Sequence, residues 1–173
     1  MLVLCLSLAV PVLDQATKYA VRANSQLQLG QAIPVVPGFF SLQYVQNTGA
    51  AWGMFEGLNQ WLVAFSLLVL VLILGFQRHF VPAGWLARIA TGLIVGGIAG
   101  NLIDRVRLNY VVDFLYFYWH TYAHSFPAFN AADSAICTGV GLYLIAQLRR
   151  EAGGSEADAT SPRGGQGAQS GAL

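Results

Sequence analysis

The 173-residue sequence predicts an all-α membrane protein built on four transmembrane helices. Hydrophobic residues make up 55% of the chain and charged residues 10%, and the mean hydropathy is +0.55, far from the balance of a soluble domain. Four apolar segments each approach the roughly 20 helical residues needed to cross a bilayer core of about 30 Å. Up to Arg150 the basic residues lie at the ends of these segments or between them, with Lys18 the exception. A formal net charge of +1, with no Lys/Arg cluster and no basic-aromatic alternation, excludes a nucleic-acid-binding reading.

The first span covers about residues 2–21 and carries Pro11, Asp14 and Lys18, which must face protein or water rather than lipid. No positive residue precedes Leu2, which argues against a cleavable signal peptide. A long loop follows, about residues 24–59. Its Gln26-Leu27-Gln28-Leu29 alternation, Pro34, Pro37-Gly38 and the apolar run over 39–45 predict short strands joined by turns. The second span is expected over about 59–76, opened by Trp61, and the third over about 86–108. Residues 109–129 form a second loop dense in Tyr, Phe, Trp and His, suited to the headgroup level of a membrane. The fourth span runs over about 131–148.

Beyond Arg149-Arg150 the chain turns to Gly, Ser, Ala and Gln, too poor in large apolar side chains to offset the entropy of ordering. The reading is therefore a four-helix domain over 1–150 and a disordered tail over 151–173. Arg78, His79 and Arg88 flank the connection between spans two and three, and Arg149-Arg150 follow span four. By the positive-inside rule both termini are cytoplasmic and both long loops lie outside. Cys5 and Cys137 fall inside apolar spans as small hydrophobes, and His79, His120 and His124 lack metal-ligand spacing, so no metal, cofactor or disulfide is implied.

Ahead of Arg150 the acidic residues are Asp14, Glu56, Asp104, Asp113 and Asp133, and the four aspartates all lie within or at the ends of apolar spans. An ionisable group there costs about 2.5 to 3.5 kcal/mol on insertion scales, so it faces a cavity or a partner. Asp14 and Lys18 stand at i, i+4, the spacing of a helical ion pair, and either that or a direct role in a site accounts for them. Asn101, Asp104 and Arg105 cluster near the end of span three, after Gly96-Gly97 and Gly100, small residues that admit a close neighbour. A clamp of Asp104 to Arg105 and a catalytic use of these side chains are both open.

Asp113 sits between Val112 and Phe114, where desolvation raises a carboxyl pKa. Asn130 and Asp133 have the spacing of a capping box opening span four. Asp113 and Asp133 nevertheless lie at the same end of adjacent spans, so the loop between them can bring the carboxyls together. Two carboxyls sharing a site hold one proton between them, the arrangement that activates water at one and polarises a carbonyl at the other. A small transporter or proton-conducting subunit also keeps intramembrane carboxylates, but near mid-span rather than gathered at one face.

Asp14-Gln15-Ala16-Thr17-Lys18, Asn47-Thr48-Gly49-Ala50-Ala51-Trp52-Gly53, Gly100-Asn101-Leu102-Ile103-Asp104-Arg105, Val111-Val112-Asp113-Phe114 and Phe129-Asn130-Ala131-Ala132-Asp133-Ser134 together resemble lipoprotein signal peptidase, also called signal peptidase II. The resemblance runs in order over about residues 2–148. It implies a bacterial inner-membrane aspartic endopeptidase that removes the signal peptide of a prolipoprotein just before its diacylglyceryl-modified cysteine. It also implies membrane lipids as surroundings and the cyclic peptide globomycin as an inhibitor class. By the same resemblance Asp113 and Asp133 are the catalytic dyad, and Asn47, Asn101, Arg105 and Asn130 shape the site or bind substrate. Asp14 has a supporting role. A small extracytoplasmic sheet and a short amphipathic segment between helices 1 and 2 complete the implied fold.

Overall fold

Four helices long and apolar enough to span a membrane dominate the chain: α1 (Leu2–Ala23), α2 (Asn59–Phe80), α3 (Trp85–Leu108) and α4 (Ala131–Ala159). The structure, a computed structural model, describes residues 1–50, 54–80, 84–119 and 121–159. α3 is the central helix and packs against α1, α4 and α2. Its sequence explains this, because Ala87, Ala90, Gly92, Gly96, Gly97 and Gly100 keep its surface low and all are buried. A Cβ added at Gly97 would stand 2.5 Å from the Ala132 carbonyl oxygen, and one at Gly100 would stand 2.7 Å from Asp14 Oδ2. Those positions set how closely α1 and α4 approach α3.

α1 is patterned inside out. Its buried residues are Pro11, Asp14, Lys18 and Val21, one stripe at helical spacing, whereas Leu4, Leu8, Val12 and Leu13 are exposed. In a bilayer that is the stable arrangement, with leucines against lipid and the costly polar groups against protein. α2 is apolar on all sides, and its large side chains Trp61, Phe65, Leu68 and Val71 are exposed. α4 continues to Ala159, past the Arg149-Arg150 pair after which the composition predicts a disordered tail. Residues 160–173 lie outside the described residues.

A four-stranded antiparallel sheet in the order β1-β2-β3-β4 caps one end of the bundle, built from β1 (Ala32–Val36), β2 (Phe40–Asn47), β3 (Val111–Trp119) and β4 (Thr121–Ser125). β1 and β2 are the strands expected in the first loop, joined at Pro37-Gly38 with Gly38 at φ 79°. β3 and β4 are a departure, since this aromatic run reads as a loop in sequence. Its Val, Phe, Tyr and Trp residues are strong strand formers, and pairing along β2 satisfies their backbone groups. β3 therefore leaves α3 and lies alongside β2 in the same sheet. Val21, Leu27, Val112 and Phe114 form the apolar core that seats the sheet on the end of α1. Between β2 and α2, within the connection of helices 1 and 2 where a short amphipathic segment is expected, residues 54–57 form turns that expose Met54 and Phe55, and Ala51, Trp52 and Gly53 lie outside the described residues.

Candidate active site

Asp113 is the third residue of β3, and its side chain leaves the sheet on the face opposite Val112 and Phe114. Asn47 pairs with Val111 across the sheet and Val45 with Asp113, so Asn47 and Asp113 are diagonal neighbours on one face. Asn47 Nδ2 donates to Asp113 Oδ2 at 2.9 Å, and its own Oδ1 accepts the Gly49 N–H at 3.0 Å. Asp133 lies in the first turn of α4, where the helix dipole favours a negative charge. The capping box closes reciprocally: the Asp133 N–H donates to Asn130 Oδ1 at 2.9 Å and the Asn130 N–H donates to Asp133 Oδ2 at 3.1 Å.

Because the Asn130 oxygen is committed to that cap, its amide nitrogen must point the other way, and it donates to Asp113 Oδ1 at 2.7 Å. Asn130 thus links the two aspartates, and capping and catalysis are not competing explanations for this segment. Asn101 Nδ2 donates to Asp133 Oδ1 at 2.6 Å. Asp113, Asp133, Asn47, Asn101 and Arg105 all line one cavity of about 880 Å³, whose apolar wall includes Val45, Phe129 and Ile136. Asp113 is 2% exposed, whereas Asp133 is half-buried. Burial raises the Asp113 carboxyl to about 7, the charge of Asp133 adds to the rise, and the hydrogen bonds from Asn47 and Asn130 oppose it. At neutral pH this pair can hold one proton and one negative charge.

A second polar cluster lies behind the first. Lys18 Nζ bridges Asp14 Oδ2 at 2.8 Å and Asp104 Oδ2 at 3.0 Å. Asp14 Oδ1 also accepts the N–H of Ala132 at 2.9 Å, an orphan donor of the first turn of α4 supplied with a partner from α1. Asp104 accepts from Gln15 Nε2 at 2.7 Å and from the Val112 N–H at 3.0 Å. The expected clamp between Asp104 and Arg105 is corrected here: adjacent residues on a helix diverge, and Arg105 Nη2 instead donates to the Gly49 carbonyl at 3.1 Å. Arg105 pins the turn after β2 over the cavity. Sequence reasoning did not single out Gln15, nor the reach of Lys18 to Asn101; that Lys18 is the chain's one lysine and lies inside a span was the available signal.

A family model described as Signal peptidase (SPase) II matches residues 6–149. The chain is 44% identical over 145 residues to a protein named lipoprotein signal peptidase from Symbiobacterium thermophilum, covering 84% of this chain and 93% of that one. It is 45% identical over 153 residues to one of the same name from Syntrophotalea carbinolica, covering 86% and 91%. The fold resembles a bacterial membrane enzyme solved by the in meso method at 2.3 Å resolution, with a TM-score of 0.75 at 28% identity over 96% of this chain and 94% of that one. A second such enzyme, solved at 1.9 Å resolution, gives a TM-score of 0.72 at 32% identity over 84% and 92%. With the family match spanning α1 to α4 and taking in both aspartates of the cavity, the chain belongs to the signal peptidase II family.

Proposed function

We propose that this chain is a membrane aspartic endopeptidase that cleaves the signal peptide from diacylglyceryl-modified prolipoproteins just before the lipidated cysteine. The observation that carries this reading is the pair Asp113 and Asp133, lining one cavity and joined through Asn130. Its relatives' shared name, lipoprotein signal peptidase, supports the substrate class.

In the reaction Asp133 is the ionised member and Asp113 holds the shared proton, because Asp133 has the helix N-terminus and partial exposure while Asp113 is buried. Asp133 takes a proton from water as the water oxygen bonds to the scissile carbonyl carbon, and Asp113 passes its proton to the carbonyl oxygen. The tetrahedral adduct then collapses: the C–N bond breaks, the proton held by Asp133 goes to the leaving amine, and a hydroxyl proton returns to Asp113. Asn47 and Asn130 hold Asp113, and Asn101 and Asn130 hold Asp133, so neither carboxyl has to reorganise as charge moves.

The protein spans the bacterial inner membrane with both termini cytoplasmic, and the sheet lies on the outer side above the site. Arg78, Arg88, Arg149 and Arg150 support this orientation. Exposed Met54, Phe55 and Leu58 suit the turn after β2 to the membrane surface as the amphipathic segment. A globomycin-type cyclic peptide would compete for the same cavity. Incubating the purified protein with a lipidated precursor and resolving the product by gel shift tests the proposal. A shortened, still lipidated product is expected, and an uncut precursor under conditions where the protein is folded would overturn it.

A further inference from the structure

The reaction as written uses the dyad and the asparagines that touch it, and leaves the buried Lys18 without a task. An ammonium has three donors and no acceptor. Lys18 directs them to Asp14 Oδ2 at 2.8 Å, Asp104 Oδ2 at 3.0 Å and Asn101 Oδ1 at 2.9 Å. Because Lys18 cannot accept, Asn101 has to present its oxygen to it. The Asn101 NH₂ is thereby turned to the opposite side, where it donates to Asp133 Oδ1 at 2.6 Å. Asn130 Nδ2 also approaches Asn101 Oδ1, at 3.1 Å, but that NH₂ has two hydrogens and is divided among Asn101, Asp113 Oδ1 at 2.7 Å and the Val112 carbonyl at 3.3 Å. The charge-assisted bond from Lys18 is the stronger constraint on Asn101.

We infer that Lys18 is a positioning residue for Asp133: its ammonium pins the Asn101 oxygen and so aims the Asn101 amide at the carboxylate that activates water. This rests on the proposed assignment of the dyad. Asp14 and Asp104 neutralise Lys18 and anchor it to α1 and α3, so the lysine orients without touching substrate. The charged groups around Asp133 are Asp113 on β3, Arg105 and Asp104 on α3, Lys18 and Asp14 on α1, and Glu56 at the cavity rim. Removing the Asn101 donor disfavours ionised Asp133, so the acidic limb of activity moves to higher pH.

Substituting Lys18 alone strands two buried carboxylates, so the experiment compares Asp14→Asn with Asp14→Asn/Lys18→Met, in which Asp104 keeps Gln15 and the Val112 N–H. Each is made with and without Asn101→Leu. Ionisation of Asp133 is read by its carboxyl infrared band, assigned by its loss in Asp133→Asn, and kcat/KM against pH is read on a lipidated precursor. Lys18→Met should raise the Asp133 titration and the acidic limb together by about one to two pH units, the size of one lost hydrogen bond to a charged group. Asn101→Leu alone should produce the same rise, and Lys18→Met should add nothing once Asn101 is gone. An unmoved titration, or an equal further rise in the Asn101→Leu background, would overturn the inference, the latter by showing that Lys18 acts only through its charge. Turnover by Asp133→Asn would instead bring down the dyad reading, while the titration still reports on Lys18.

Discussion

Replacing Asp113 with Asn separates what the dyad does for chemistry from what it costs the fold. In the native protein the Asp113 carboxyl is raised from 3.8 to about 7, chiefly by burial. A carboxyl raised on folding binds its proton more tightly in the folded state, so its contribution is fully present below about pH 4 and is lost as pH rises through about 7. The complete shift corresponds to roughly 4 kcal/mol, of which about 2 to 3 kcal/mol falls between pH 5 and pH 8. Asn cannot titrate, so it escapes that loss. It does face two donors, Asn130 Nδ2 at 2.7 Å and Asn47 Nδ2 at 2.9 Å, with a single acceptor oxygen, and one unmade hydrogen bond costs about 1 to 3 kcal/mol at every pH. Asp113→Asn should therefore be less stable than the native protein at pH 5 and lose less stability between pH 5 and pH 8, while cleaving nothing at either pH. Unfolding in detergent across this range, with precursor cleavage on equal amounts of folded protein, measures both. Parallel stability curves would refute the raised carboxyl, and substantial turnover would refute the shared-proton chemistry.

Asp133→Asn should abolish cleavage with membrane insertion intact, and the Asp113→Asn/Asp133→Asn double variant should be little worse than either single one, since the pair acts as a unit; rates on matched amounts of inserted protein check this. Gly100→Ala places a methyl 2.7 Å from Asp14 Oδ2 and 3.2 Å from the Ala132 side chain, so a loss of about 1 to 3 kcal/mol in unfolding free energy is expected, measured by folded yield and thermal midpoint. An unlipidated precursor should be cut far more slowly than the lipidated one, whereas moderate changes in acyl length should matter little, because lipid and protein interior are similarly apolar; a time course with both substrates decides. Deleting the chain after Arg150 should leave insertion and cleavage nearly unchanged in the same assay.

The spans were legible because lipid imposes a length and a hydropathy that few other solutions share, and the aspartates stood out against that background. Asn130 and Asp133 were legible as a cap because capping is local and has fixed spacing. What escaped the sequence is what depends on distant partners. The residues of β3 look like an interfacial aromatic loop until β2 supplies their hydrogen bonds. Asp104 and Arg105 are adjacent in sequence and of opposite charge, yet the helix sends one to Lys18 and the other to Gly49. The link from Lys18 to Asn101 spans 83 positions, and no spacing rule reaches that far.

The bond from the Ala132 N–H to Asp14 joins residues 118 positions apart, so it can form only after both α1 and α4 have been made. A ribosome delivers α1 into the membrane long before α4. Until α4 arrives, Asp14 lacks the helix end it caps, Asn101 lacks Asp133, and Asp113 has no second carboxyl with which to share a proton. With Asp113 and Asp133 as the proposed dyad, a chain still lacking α4 holds one of the two carboxyls, so cleavage is expected only after α4 has packed against α1 and α3.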